Sequence, residues 1–254
     1  SNLLNHPQHI WTCHGLKEAM SVPACLPQWA QEGKSCPFGE KQGLLVGSWT
    51  WPNEGVTWVH YVAAFYSFMP MTMVFGIMLF GLWTRGLREV IAFIFQFVCL
   101  VVMFILKMIM QQPRPQGSCS TSCGMPSGHT LVSVGTFVWI FMEVHYAQLM
   151  DQRQKNIILA VAGVLLIPVG WSRVVFHDHS WAQVLVGAVI GGLVGVLWYA
   201  MLQHRLTTWI LKLVKAWLPF MELNYPLEGL VEEAPWAPTA SAYGATGTQK
   251  AQVR

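Results

Sequence analysis

The chain has 254 residues, 54% of them hydrophobic and only 11% charged, against roughly 25% charged in ordinary soluble domains. A formal charge of +3 is too small and too scattered to point to nucleic acid as a partner. The composition is that of an integral membrane protein with little soluble mass, its solvent the lipid bilayer.

Residues 1–56 are mixed and polar, with Pro23, Pro27, Pro37 and Pro52 as breakers, and predict short helices and loops. They hold no apolar run of signal-peptide type, and the start at Ser1 rather than Met reads as processed or incomplete. Trp49, Trp51 and Trp58 precede the first apolar run, where an interfacial anchor belongs. Five apolar runs follow, over 59–83, 90–110, 126–145, 157–175 and 181–202. Each is near the ~20 residues a spanning helix needs. Pro70 and Pro168 are expected to kink the first and fourth.

The connections are short, so the predicted fold is an all-α, polytopic, up-down membrane bundle of about five transmembrane helices. Leu206, Ile210, Leu213 and Trp217 recur at helical spacing, with Lys212 and Lys215 on another face. That pattern predicts a C-terminal interfacial helix, or else a continuation of the fifth span. Residues 235–254, rich in Ala, Thr, Gly and Pro, read as a disordered tail. The divisions are thus 1–56, a transmembrane core over 57–204, an interfacial helix and loop over 205–234, and the tail.

Arg85 and Arg88, then Arg153 and Lys155, then Arg205, Lys212 and Lys215 all fall on one side of this topology. The positive-inside rule places the opposite ends, with the motifs below and the N-terminal segment, on a lumenal or external face. Cys13, Cys25, Cys36, Cys119 and Cys123 lie outside the runs on that side, and Cys99 lies inside one as a small core residue. A disulfide between Cys119 and Cys123, or from either to an N-terminal cysteine, fits an oxidising compartment.

Three motifs sit at the ends of the runs. Lys107 is followed seven residues later by Arg114, between Pro113 and Pro115. Alone, Lys107 is a snorkelling lysine; Arg114 is held by two prolines, and its planar fork can grip two phosphate oxygens. In Pro126-Ser127-Gly128-His129, Pro126 suits the first helical position. The amides of Ser127, Gly128 and His129 would then be free at a helix terminus, an anion site that Gly128 lets a phosphate approach, or an ordinary cap. Ser172-Arg173 and His179 flank the last turn.

On the fifth helix His179, Gln183, Gly187, Gly191 and Gly195 recur every four residues, a small-residue packing face that aims His179 inward. Gln183 is placed to accept a hydrogen bond from that imidazole. His177 is off this face and reads as a rim histidine, while Asp178 is either a loop cap or the partner of a cation. Three cations and a helix terminus can stabilise phosphoryl charge; one histidine can attack phosphorus and the other protonate the leaving oxygen. The absence of an Asp/Glu cluster predicts no metal and no cofactor.

At these residues the sequence resembles the type 2 phosphatidic acid phosphatase superfamily, whose signatures are KxxxxxxRP, PSGH and SRxxxxxHxxxD. The resemblance implies a phosphohistidine enzyme with His179 as nucleophile and His129 as general acid. Lys107, Arg114, Ser127, Gly128 and Arg173 would bind phosphate. The family's last acid is Gln183 here, as in its dolichyl-diphosphatase and glucose-6-phosphatase branches. The short loop between the first two motifs and the His-Ser-Trp-Ala-Gln-Val string look more like the former. The leading expectation is a lumenal endoplasmic-reticulum enzyme acting on a membrane lipid, polyprenyl diphosphate. Alternatives are a broader lipid-phosphate or sugar-phosphate phosphatase, and an accessory membrane subunit of little activity whose partners the sequence does not name.

Overall fold

The computed structural model describes residues 25–43, 48–84, 87–146 and 150–203, with 209, 210, 213 and 216. Cys13, Arg85, Arg205, Lys212, Lys215, Leu206, Trp217 and the tail lie outside the described residues. The chain runs through a short helix α1 (Gln28–Gln31), a hairpin of β1 (Gly39–Gln42) and β2 (Trp49–Pro52), and the helices α2 (Trp58–Thr84), α3 (Leu87–Met110), α4 (Gly128–Tyr146), α5 (Gln152–Leu166), α6 (Val169–Val175) and α7 (Trp181–Met201). The strands pair antiparallel, Gly39 opposite Pro52 and Gln42 opposite Trp49. This hairpin lies where the sequence predicts only short helices and loops.

Among the described residues four helical stretches are long and apolar enough to cross a bilayer: Trp58–Trp83, Glu89–Met110, Gln152–Val175 and Trp181–Met201. The third expected span is α4, a helix of 19 residues that is less apolar for a packing reason. It touches α2, α3, α5, α6 and α7 and so is the inner helix of the bundle. A helix shielded from lipid can bury Thr130, Ser133 and Thr136, provided their hydroxyls find partners. Thr136 does, donating to Val132 O at 2.8 Å and accepting from Gln96 Nε2 at 3.0 Å. The outer helices show lipid Leu79, Phe80, Leu82, Phe97, Ile109, Leu185 and Leu197.

The tightest pair is α4 against α7, along the glycines that recur every four residues. A Cβ on Gly187 would stand 2.7 Å from Ser127 O, and one on Gly195 2.5 Å from Gly135 O; on Gly191 it would collide with Leu131 O. Backbone therefore meets backbone, which only small residues permit. Around this seam Phe95 packs its ring between Trp139 (5.2 Å) and Trp198 (5.6 Å), with Cys99, a free thiol, in the same core.

Pro70 is carried inside α2, whereas Pro168 separates α5 from α6 and serves as the N-cap of the latter. The three tryptophans part company. Trp58 is 75% exposed and remains free to sit at an interface, but Trp49 is buried, packed edge-on to Phe68 and against Phe176. Trp51 lies on Tyr61 and Phe176. Trp49 and Trp51 thus join the hairpin to α2 and the end of α6 instead of facing lipid headgroups.

Two disulfides tie the N-terminal segment to the loop between α3 and α4: Cys25–Cys123 and Cys36–Cys119. Each joins an N-terminal cysteine to a loop cysteine; Cys119 and Cys123 do not pair with each other.

Candidate active site

The site is assembled from three chain ends that the bundle brings to one level. α3 ends at Met110, three residues after Lys107, and Gln111 takes a φ of 42°, which turns the chain out of the helix. Gln112 O then accepts from Gly124 N at 2.7 Å, closing the loop that carries Arg114 and Ser122. Lys107 Nζ donates to Cys123 O at 2.7 Å. Arg114 is gripped along its whole fork: Nε donates to Ser122 O (2.9 Å), Nη2 to Ser122 Oγ (3.0 Å) and Nη1 to Asp178 O (2.8 Å).

The second end is the start of α4. The helix opens at Gly128, so Pro126 stands two residues before it, in a cis peptide with Met125, and not at the first helical position. The reason lies across the bundle: Ser127 N donates to Gln183 O at 3.1 Å, so Ser127 stands as the residue before the first turn. Its amide is thereby spoken for, leaving those of Gly128 and His129 among the first-turn donors. The Cα hydrogen face of Gly128 meets the Met103 side chain, to which a Cβ would come within 3.0 Å. Ser127 Oγ accepts from Thr130 Oγ1 at 3.0 Å and keeps its own proton to donate.

The third end explains the spacing of Arg173 and His179. α6 stops at Val175, and His177 takes a φ of 54° in the left-handed position that glycine usually fills after a helix. His177 N then donates to Val174 O and Asp178 N to Arg173 O, the two bonds of a Schellman cap. His179 N reaches the same Arg173 carbonyl at 3.2 Å. One helical turn and one reversed cap therefore return the chain over Arg173. Asp178 closes the loop from its side chain, pairing with Arg173 Nη2 at 2.7 Å.

Ser180 caps α7, and Gln183 at the third helical position reaches back to Ser180 N, a capping box. Gln183 Oε1 also lies 3.3 Å from His179 Nδ1, while its Nε2 donates to Pro113 O (2.9 Å) and Gln112 Oε1 (3.3 Å). The amide is thus oriented, oxygen toward the imidazole. His179 Nε2 faces Arg114 Nη1 at 3.1 Å. An arginine can only donate, so Nε2 is the acceptor and Nδ1 bears the proton given to Gln183.

Burial above all, then the fields of Arg114, Arg173, Lys107 and His129, holds the His179 pKa well below its usual range. The ring is therefore neutral near pH 7, with its lone pair on the side of the cations. Burial pushes the Arg114 pKa down to about 10, with Asp178 opposing and Arg173 reinforcing, so its charge survives. Among the candidate residues His179, Arg173, Gln183 and Ser127 are buried, and Lys107, Arg114, Gly128 and His129 half-buried. His177 is exposed. Thr50, Ser118, Ser122 and Gln112 hold these groups in place and were not marked by any motif; only the loop cysteines flagged their neighbourhood.

The sequence profile described as the PAP2 superfamily matches residues 88–206, from the start of α3 past the end of α7. The chain carries a PAP2 superfamily domain. Dolichyldiphosphatase 1 of Rhinolophus ferrumequinum is 29% identical over 178 residues, 62% of this chain and 74% of that protein. Dolichyldiphosphatase of Saccharomyces cerevisiae is 26% identical over 183 residues, covering 67% and 77%. Dolichyldiphosphatase 1 of Homo sapiens is 31% identical over 117 residues, 42% of this chain, and the match spans 49% of the human protein. No solved structure matches the chain significantly. With its apolar helices, the domain makes this protein an integral-membrane hydrolase of the phosphatase class.

Proposed function

We propose that the protein removes phosphate from a lipid phosphate in the bilayer, with a polyprenyl diphosphate as the leading substrate and a phosphohistidine at His179 as intermediate. The observation that carries this is the fixed tautomer of His179: Nδ1–H bound to Gln183, Nε2 turned to Arg114. An arriving phosphate offers Arg114 a better, charged acceptor than a neutral imidazole. Arg114 then turns to the phosphate oxygens and uncovers the Nε2 lone pair.

Nε2 attacks phosphorus, the bond from phosphorus to the leaving oxygen breaks, and His129 gives that oxygen its proton. Water next attacks the phosphoryl group, yielding its proton to His129. The N–P bond breaks, and its electrons return to Nε2 as phosphate leaves. Lys107, Arg114 and Arg173, with the amides of Gly128 and His129, balance the charge on the equatorial oxygens throughout. The dolichyldiphosphatase relatives support the diphosphate substrate. The two disulfides on the side of the site support a lumenal active face in the endoplasmic reticulum, since disulfides persist in oxidising compartments.

The test is phosphate release by purified protein from dolichyl diphosphate, phosphatidic acid, a sphingoid phosphate and glucose 6-phosphate, with and without chelator. Dolichyl diphosphate should be turned over fastest, chelator should make no difference, and His179→Ala should release no phosphate. Full turnover by His179→Ala would refute the nucleophile, and a preference for glucose 6-phosphate the lipid substrate.

A further inference from the structure

Asp178 is fully buried and accepts four hydrogen bonds. Arg173 Nη2 (2.7 Å) and Thr50 N (3.1 Å) reach Oδ2; Thr50 Oγ1 (2.7 Å) and Ser118 Oγ (3.0 Å) reach Oδ1. Thr50 Oγ1 in turn accepts from Cys119 N at 2.8 Å, so its own proton is committed to Asp178. Ser48 O, two residues earlier, accepts from Arg173 Nη2 at 2.8 Å, and Ser67 Oγ accepts from Nη1 at 3.2 Å. The guanidinium is planar, so fixing two of its nitrogens fixes the plane. Nε is left buried without an acceptor among the described residues.

We propose that Asp178 and Thr50 are positioning residues for phosphate recognition, acting through Arg173, and that the β1–β2 hairpin is thereby a working wall of the active site. This rests on Arg173 binding phosphate, as in the preceding subsection. A buried ion pair by itself is weak evidence for a stabilising role, because an apolar pair of similar volume often serves stability as well. What this pair supplies that an apolar pair cannot is direction. An isolated Arg173 would turn to whichever carbonyl lay nearest. With Asp178 held by Thr50 and Ser118, its ordering is complete before the anion arrives, which is what preorganised charge requires. The disulfide at Cys119 adds to this, since the amide of that residue sets the Thr50 hydroxyl.

The test compares wild type, Thr50→Val, Thr50→Ser and Asp178→Asn as full-length protein in detergent with the disulfides intact. Three quantities are read: KM for the lipid substrate, Ki for inorganic phosphate, and the rise in Tm that phosphate produces. Thr50→Val and Asp178→Asn should raise KM and Ki together by about ten- to a hundredfold, the worth of a hydrogen bond to a charged group. Thr50→Ser should keep wild-type values. A merely structural role lowers the amount of active protein and leaves KM and Ki untouched in Thr50→Val, and that result would overturn the inference. If Asp178→Asn does not fold, Thr50→Val decides. If wild type turns over no substrate, the phosphatase reading falls, and the phosphate-dependent Tm shift judges the inference alone: equal shifts in wild type and Thr50→Val overturn it. A wild type that neither turns over substrate nor responds to phosphate overturns both.

Discussion

Gln183 stands where the superfamily signature has an acid, and the structure gives a reason for the amide. Its Nε2 is a donor at 2.9 Å to Pro113 O and 3.3 Å to Gln112 Oε1, and its Oε1 serves Ser180 N and His179 Nδ1. In Gln183→Glu a carboxylate oxygen replaces Nε2 against two acceptors. The stranded Pro113 carbonyl costs about 1–3 kcal/mol, and the repulsion at a site only 2% exposed adds to it. A total loss of roughly 2–4 kcal/mol corresponds to about 5–15 °C in Tm for a chain of this size. The same carboxylate would favour the charged imidazole and raise the His179 pKa, moving the acid limb of kcat/KM upward. Gln183→Ala removes the orientation without the repulsion and should lower kcat by about ten- to a hundredfold. Thermal melts in detergent and a pH profile of phosphate release measure both effects. A Gln183→Glu variant that melts with wild type would refute the assignment of Nε2 as the donor to Pro113, and with it this account of the tautomer.

Other substitutions probe separate parts of the site. His177→Gly relieves the left-handed backbone at φ 54° and should stabilise by about 0.5–1 kcal/mol with kcat unchanged; a loss of activity would make His177 more than a cap. Gly187→Ala drives a Cβ to 2.7 Å from Ser127 O and should cost about 1–3 kcal/mol, seen as a lower Tm. Removing the Cys25–Cys123 cross-link frees only the arms 25–36 and 119–123, because the Cys36–Cys119 bridge is nested within it; it should cost about 3 kcal/mol by chain entropy and raise KM, because Cys123 O holds Lys107. The pH dependence has a definite sign. The His179 pKa is lowered in the fold by burial first, so the unfolded ring takes up a proton below about pH 6.5 that the folded ring refuses. Stability is fully present above that pH and falls below it, by up to about 1.4 kcal/mol per pH unit. Tm measured from pH 7.5 to 5 should fall less steeply in His179→Ala than in wild type.

The residues proposed to touch phosphate were legible because each is a chemical type rarely spent at the end of an apolar run. The helices were legible from length and apolarity, except that α4, packed against five other helices, carries buried hydroxyls that blur its span. The hairpin was not. Its strands, Gly-Glu-Lys-Gln and Trp-Thr-Trp-Pro, are four residues each and show no alternation long enough to register. The cysteine pairing was not either, since the five cysteines outside the apolar runs can form two bridges in fifteen ways and sequence spacing does not choose among them. Pro126 misled because a proline before an apolar run so often opens a helix; the carbonyl that displaced the start is Gln183 O, 56 positions away in the chain.

These failures have a common cause. Much of the aiming comes from partners far off in sequence: Asp178 O reaches Arg114, Ser48 and Thr50 reach Arg173 and Asp178 from the hairpin, and Gln183 reaches Pro113 across the bundle. A motif records the groups that meet the substrate, whereas the groups that aim them are specified by the fold. The step from Arg173 to His179 is different, because there the aiming device is local. Arg173 O caps both Asp178 and His179, so a seven-residue string carries both the chemistry and its geometry. That locality is a physical reason for a spacing of six between the arginine and the histidine: one residue more or fewer would carry the His179 amide off the carbonyl that holds it, and the imidazole with it.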